Sequence, residues 1–180
     1  TGRGQRRLRF TRSEYNNNKA NVEAAVSMLS NGKDSNGTDL WWAMKENGTY
    51  YMVQGARTNE DVGQVLVFES EDKVNWKFRS RVESEKSFGY MWECPDLFAL
   101  GDQHVLICCP QGVPREKERY LNTYPAVWMS GDFDYHRAAF EHGELHELDA
   151  GFEFYAPQTM LTSDGRRLLV GWMGVPEGEE

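Results

Sequence analysis

Cysteine, long apolar runs and positive charge are all scarce in this sequence, and each shortage excludes a class of protein. The 180 residues include three cysteines, an odd number without the spacing of a zinc site, so a disulfide scaffold is not expected. This cysteine usage favours a reducing compartment, and we expect a cytoplasmic protein. No apolar run approaches the length of a membrane span, so no membrane partner is expected. The net charge of −8 likewise makes nucleic acid an unexpected partner.

Residues 1–37 differ in composition from the rest of the chain. They are polar and rich in asparagine, glycine and serine. Apolar residues recur at helical spacing between positions 19 and 30, which predicts a short amphipathic helix there. We therefore divide the chain into an atypical polar segment, 1–37, and a main domain, 38–180.

From residue 38 onward the chain consists of short runs of β-branched and aromatic residues separated by turn residues. These runs predict strands at residues 49–53, 64–69, 105–109, 126–130 and 167–172. The turns at 47–48 and 163–165 each lead into a strand and then a glycine, a repeat typical of β-propeller blades. Many short strands without crossover helices predict an antiparallel all-β domain, and the repeat favours a propeller over a sandwich or barrel.

The first chemistry-bearing segment surrounds Glu93, which stands between Trp92 and Cys94. A poorly polar neighbourhood disfavours the charged form of a carboxyl group, which is what a general acid at neutral pH needs. Pro95 lacks an N–H group and suits the end of a strand beside a site. Asp96 could tune Glu93 or hold a substrate hydroxyl. On spacing alone, two ordinary loop acids are the simpler interpretation.

The second segment, residues 149–159, combines three aromatic rings with two acids and an amide. Rings can stack on a sugar while carboxylate and amide groups hold its hydroxyls, as a carbohydrate site requires. A strand whose aromatic side chains alternate into the core explains the same pattern equally well.

Taken together, these segments resemble glycoside hydrolase family 32, the family of invertases, fructanases and sucrose-6-phosphate hydrolases. Residues 92–96 (Trp-Glu-Cys-Pro-Asp) resemble the Glu-Cys signature of that family. The blocks at 154–159 (Phe-Tyr-Ala-Pro-Gln-Thr) and 171–174 (Gly-Trp-Met-Gly) follow in the family's order. The resemblance implies a five-bladed β-propeller of four-stranded antiparallel blades, here partial, with its N-terminal and C-terminal blades incomplete. It also implies hydrolysis of β-fructofuranosides, sucrose or sucrose-6-phosphate, with retention and without a metal or cofactor.

The same resemblance assigns roles to individual residues. Glu93 matches the acid/base, which protonates the leaving oxygen and later activates water. The residues expected near the fructosyl unit are Asp39, Trp92, Asp96, Asp149, Tyr155 and Gln158. Asp39 is expected there only as a remnant of the family's Arg-Asp-Pro triplet, because the arginine and proline are absent.

One catalytic part of the family pattern has no counterpart in the sequence. The family's nucleophile is an aspartate in an Asn-Asp-Pro-Asn block, and these 180 residues contain no such block. We therefore expect a fragment of a glycosidase that is inactive alone, since a retaining mechanism needs two carboxylates. The alternative is a non-catalytic propeller that binds a fructoside or glycan, and a structural propeller is a third interpretation.

Overall fold

The computed structural model describes the backbone of Arg7–Arg9 together with residues 43–151 and 154–174. Side chains are described from residue 46 onward within those ranges. The predicted helix at 19–30 and Asp39 lie outside the described residues. Those that are described form strands, turns and loops, and no helix among them could cross a membrane. The predicted all-β, antiparallel character is confirmed.

The described residues form twelve strands in three sheets. In chain order they are β1 (Arg7–Arg9), β2 (Ala43–Glu46), β3 (Thr49–Arg57), β4 (Gly63–Ser70), β5 (Asn75–Val82), β6 (Met91–Leu100), β7 (Gln103–Gln111), β8 (Val127–Asp134), β9 (Ala139–His142), β10 (His146–Glu147), β11 (Tyr155–Leu161) and β12 (Arg167–Trp172).

Each sheet is built from strands that are neighbours in the chain. Strands β2 to β5 form an antiparallel meander, and β1 joins its far edge parallel to β5. Strands β6 to β9 form a second antiparallel meander, in which β10 also pairs with β8. Strands β11 and β12 form a separate antiparallel hairpin. Within residues 43–151, turns and loops rather than crossover helices join the antiparallel neighbours.

All five predicted strands are confirmed, as β3, β4, β7, β8 and β12. The sequence analysis did not name β1, β2, β5, β9 or β10. It expected a strand end at Pro95, in β6, and gave a strand as one of two interpretations of residues 149–159, which contain the start of β11. Strand β5 alternates charged and apolar side chains, and only its apolar positions Trp76 and Val82 are fully buried. Strand β6 contains Pro95, which normally marks the end of a strand.

Alternation along the strands of the first sheet supplies two separate apolar clusters. Val65 and Val67 of β4 pack with Leu106 and Val127 of the second sheet, in a core shared between the two sheets. The intervening residues of β4 face the opposite way and build a second cluster with Trp76. Because successive side chains of a strand point to opposite faces, one strand serves both clusters.

Trp92 is the largest fully buried side chain of the shared core and is 0% exposed. Its indole N–H donates a 2.7 Å hydrogen bond to the carbonyl oxygen of Phe88. The sheets approach closely here, since a Cβ atom on Gly55 would lie 2.0 Å from the carbonyl oxygen of Trp92. A Cβ on Gly63 would lie 2.3 Å from its indole ring. Both positions therefore require glycine, and together they place the start of β6 against β3 and β4.

Candidate active site

Glu93 is the third residue of β6 and lies beside an irregularity in that strand. The pairing register with β7 shifts between Glu93 and Asp96, and Cys94 has a left-handed φ of 49°. Such a bulge bends a strand and redirects its side chains. It also explains Pro95, which we expected at a strand end but which lies inside β6. A proline without an N–H group is tolerated where the ladder is already interrupted.

Tyr155, the first residue of β11, brings a second strand to the same point. Its hydroxyl donates a hydrogen bond to Oε2 of Glu93. The next residue, Ala156, has a left-handed φ of 48°, and the register with β12 shifts between Tyr155 and Gln158. Both site side chains therefore lie next to a bulge. Burial and the Glu93 carboxylate raise the pKa of Tyr155, so its hydroxyl keeps its proton and acts as a donor.

Gln111, at the end of β7, completes the contacts of the carboxyl group. Its Nε2 donates a 3.0 Å hydrogen bond to Oε2 of Glu93. The sequence analysis gave Gln111 no role. The pairing register of β6 and β7 could have identified Gln111, because it places this residue diagonally across from Glu93 on the same face of the sheet.

Asp96 connects β6 to β11 and is only 1% exposed. Its Oδ2 accepts a 2.7 Å hydrogen bond from the backbone N–H of Thr159. Burial raises the pKa of Asp96, an effect opposed by the hydrogen bonds from Thr159 and by the Arg167 guanidinium. Arg167 in turn donates to the Thr159 hydroxyl at 2.9 Å. In this position the carboxylate fixes the spacing of the two strands that carry Glu93 and Tyr155.

Gln158 makes a second connection between the same strands. Its Nε2 donates to the carbonyl oxygen of Cys94 at 3.2 Å and to that of Pro157 at 2.9 Å. The amide therefore contacts the bulge that follows Glu93. Both acceptors are backbone carbonyl oxygens, and Gln158 remains partly exposed.

Asp149 precedes β11 and is held in a local turn. Its Oδ2 accepts a 2.9 Å hydrogen bond from the N–H of Gly151. The buried side chain of Asn122 links this turn to the strand, because it donates to the carbonyl of Asp149 at 3.4 Å and accepts from the N–H of Phe154 at 3.1 Å. Asn122 was missed by the sequence analysis, and no spacing pattern marks it.

The three cysteines lie as free thiols around the bulge and in β7. Burial raises the pKa of Cys94, with a further contribution from the Glu93 charge. Burial likewise raises the pKa of Cys109 to about 12 and that of Cys108 well above its ordinary value. Neutral, buried thiols are poor nucleophiles and poor metal ligands. Within residues 43–151 and 154–174, no three His, Cys, Asp or Glu side chains converge as a metal site.

The geometry supports proton transfer by one carboxyl group. Glu93 is partly exposed, accepts two hydrogen bonds at Oε2, and directly follows the buried Trp92. Asp96, the neighbouring carboxylate of β6, is turned into the protein and bonded to Thr159. In the part of the chain that the structure describes, Glu93 is therefore the more accessible of these two carboxyl groups of β6.

Comparison with known proteins decides the family. The model of the glycosyl hydrolases family 32 N-terminal domain matches residues 8–180. The chain belongs to glycosyl hydrolase family 32. Sucrose-6-phosphate hydrolase of Salmonella typhimurium is 68% identical over 147 residues, covering 79% of this chain and 30% of the relative. Sucrose-6-phosphate hydrolase of Klebsiella pneumoniae is 57% identical over 141 residues, covering 76% of this chain and 30% of the relative.

Solved structures of family 32 members share the fold of this domain. The β-fructofuranosidase of Bombyx mori superposes with a TM-score of 0.70 at 40% identity, covering 76% of this chain and 30% of that one. Sucrose-6-phosphate hydrolase of Lactobacillus gasseri gives a TM-score of 0.68 at 33% identity, with coverage of 75% and 29%. This family 32 chain thus spans less than one third of the length of these relatives.

Proposed function

We propose that this chain supplies the acid/base half of the active site of a retaining β-fructofuranosidase. The observation that carries the proposal is Glu93, aimed by a bulge in β6 and bonded by Tyr155 and Gln111, in a chain that belongs to family 32. The relatives that resemble it are named sucrose-6-phosphate hydrolases, and a Bombyx mori enzyme is described in complex with sucrose. A small carbohydrate carrying a β-fructofuranosyl unit is therefore the proposed substrate.

The proposed architecture is part of a five-bladed propeller. In this interpretation strands β2 to β5 and β6 to β9 are two four-stranded blades, and β11 and β12 begin a third. The side chains of this hairpin support the proposal, since Leu161, Val170 and Trp172 are 64%, 59% and 55% exposed. Apolar exposure on this scale is unusual for a finished sheet and fits a blade that lacks its outer strands. The division of the chain at residue 38 remains a prediction.

The proposed reaction has two steps. In the first, protonated Glu93 gives its proton to the glycosidic oxygen as the bond from that oxygen to the fructosyl carbon breaks. A carboxylate nucleophile forms the new bond to the same carbon. In the second step water attacks this carbon, Glu93 takes a proton from the water, and the carboxylate leaves. The nucleophile would come from a part of the complete protein that this sequence does not contain.

Residues predicted to meet the sugar divide into two groups in this proposal. Tyr155, Gln158 and Asp149 are partly exposed and stay in the proposed fructosyl site. Trp92 and Asp96 are 0% and 1% exposed, so a sugar could reach them only if the packing of the sheets opened. We therefore propose that these two act by shaping the site rather than by touching the sugar.

A hybrid enzyme tests the proposal. It consists of the Salmonella typhimurium relative with its matching segment replaced by residues 38–180 of this chain. We expect it to hydrolyse sucrose and sucrose-6-phosphate, and Glu93→Gln to lower kcat/KM by about 10²- to 10⁴-fold, the usual contribution of a general acid. The matched control is Glu144→Gln, an exposed glutamate outside the site, which should leave kcat/KM unchanged.

The isolated chain provides the complementary test. Without a nucleophile the covalent route is lost, so we expect the 180-residue chain to show no measurable sucrose hydrolysis. Fructose or sucrose binding to that chain without turnover, together with an inactive hybrid enzyme, would favour the alternative of a binding module. Full activity of the Glu93→Gln hybrid would show that Glu93 is not the acid/base.

A further inference from the structure

We propose that Gln111 is a positioning residue that determines which oxygen of Glu93 carries the transferred proton. This inference rests on the proposed function and adds to it a residue and an atom. Gln111 and Tyr155 both donate to Oε2 of Glu93. A carboxylate oxygen has two lone pairs, so two donors occupy Oε2. No residue within the described part of the chain is seen to donate to Oε1.

The position of Gln111 follows from strand pairing and from two backbone clamps. Gln111 pairs with Met91, which lies two residues before Glu93 on β6 and therefore on the same face. The N–H of Tyr90 donates to the carbonyl oxygen of Gln111 at 2.8 Å, which fixes the backbone on one side. On the other side Gly112 has a left-handed φ of 77°, and a Cβ there would lie 2.4 Å from the Tyr90 ring. The chain therefore turns away directly after Gln111, and its side chain is held at the site.

This arrangement separates the tasks of the two carboxyl oxygens. Oε2, already accepting two hydrogen bonds, has no lone pair left for a proton, so the proton resides on Oε1. Oε1, which has no donor among the described residues, is then the oxygen that can pass its proton to a ligand. A hydrogen bond to the ionised form also stabilises it. Without Gln111, Oε2 regains a lone pair, the proton can occupy either oxygen, and the carboxylate is less stabilised.

The experiment compares Gln111→Met with the unmodified hybrid enzyme. Methionine preserves the length of the side chain and removes the N–H donor. The matched control is Gln103→Met, at the exposed opposite end of the same strand. Two substrates are used, sucrose and β-D-fructofuranosyl fluoride, because fluoride leaves without being protonated. Sucrose is preferred to its 6-phosphate, because the phosphate group titrates at about pH 6 and would distort the pH profile of kcat/KM.

We expect two changes in Gln111→Met that a purely structural role would not produce. The alkaline limb of kcat/KM for sucrose should move up by about one pH unit, and its plateau should fall about tenfold. The plateau for the fluoride should change less than about twofold, because that reaction needs no proton from Glu93.

The outcomes separate this inference from the proposed function. An unmoved alkaline limb, or equal losses on both substrates, would overturn the role of Gln111. A hybrid enzyme that hydrolyses neither substrate would overturn the proposed function instead. The role of Gln111 rests on that function and would fall with it.

Discussion

Replacing Gly55 by alanine tests whether the contact between β3 and β6 sets the position of the acid. A Cβ at this position would lie 2.0 Å from the carbonyl oxygen of Trp92 and 3.4 Å from the Cα of Glu93. A carbon and an oxygen that are not bonded need roughly 3.3 Å, so the strands must separate by about 1 Å. Overpacking of this kind costs about 1–3 kcal/mol, and a misplacement of about 1 Å can cost about 10² in rate.

The assay measures kcat/KM and thermal unfolding of the hybrid enzyme with Gly55→Ala. We expect kcat/KM to fall by about 10²-fold and the melting temperature to drop by a few degrees. Gly143→Ala is the matched control, because its nearest neighbour would be the carbonyl of Ser130 at 3.8 Å, an ordinary contact. Unchanged activity and stability in Gly55→Ala would show that this close approach does not hold Glu93 in place.

Two further predictions concern stability, both measured by urea unfolding of the hybrid enzyme. Asp96→Ala leaves the buried N–H of Thr159 without its acceptor and should lower the free energy of unfolding by about 1–3 kcal/mol. Asp96→Asn keeps an acceptor and should lower it less. Equal losses in the two variants would refute the role of this hydrogen bond in holding β6 and β11 together. Burial lowers the pKa of His104, opposed by Asp132, and the ring accepts the N–H of Phe133 at 3.4 Å. The folded protein therefore binds this proton less readily than the unfolded chain, and stability should fall as pH drops through about 6.5. His104→Gln should flatten that loss, and an identical pH dependence in the variant would contradict the reasoning.

The candidate site was predicted in part from local sequence. Glu93 and Tyr155 were named from two segments whose composition and order resemble family 32, and the structure joins them by a hydrogen bond. Gln111 was not named, because its role depends on the register of β6 against β7. Asp96 was expected beside a sugar, whereas its side chain is buried and bonded to Thr159. The sequence shows that an acid lies near Glu93 but not the direction in which its side chain points.

The sequence by itself determined the fold class, because period-two apolar patterns and turn residues are local properties of a chain. It also determined that Glu93 stands between Trp92 and Cys94 with Pro95 after them, a segment that resembles the signature of family 32. The tertiary structure decided the rest. Packing of β3 against β6 buried Trp92, and bulges at Cys94 and Ala156 redirected the neighbouring side chains. Such effects arise between strands that are distant in sequence, where pairing register and close backbone contact decide which side chains meet.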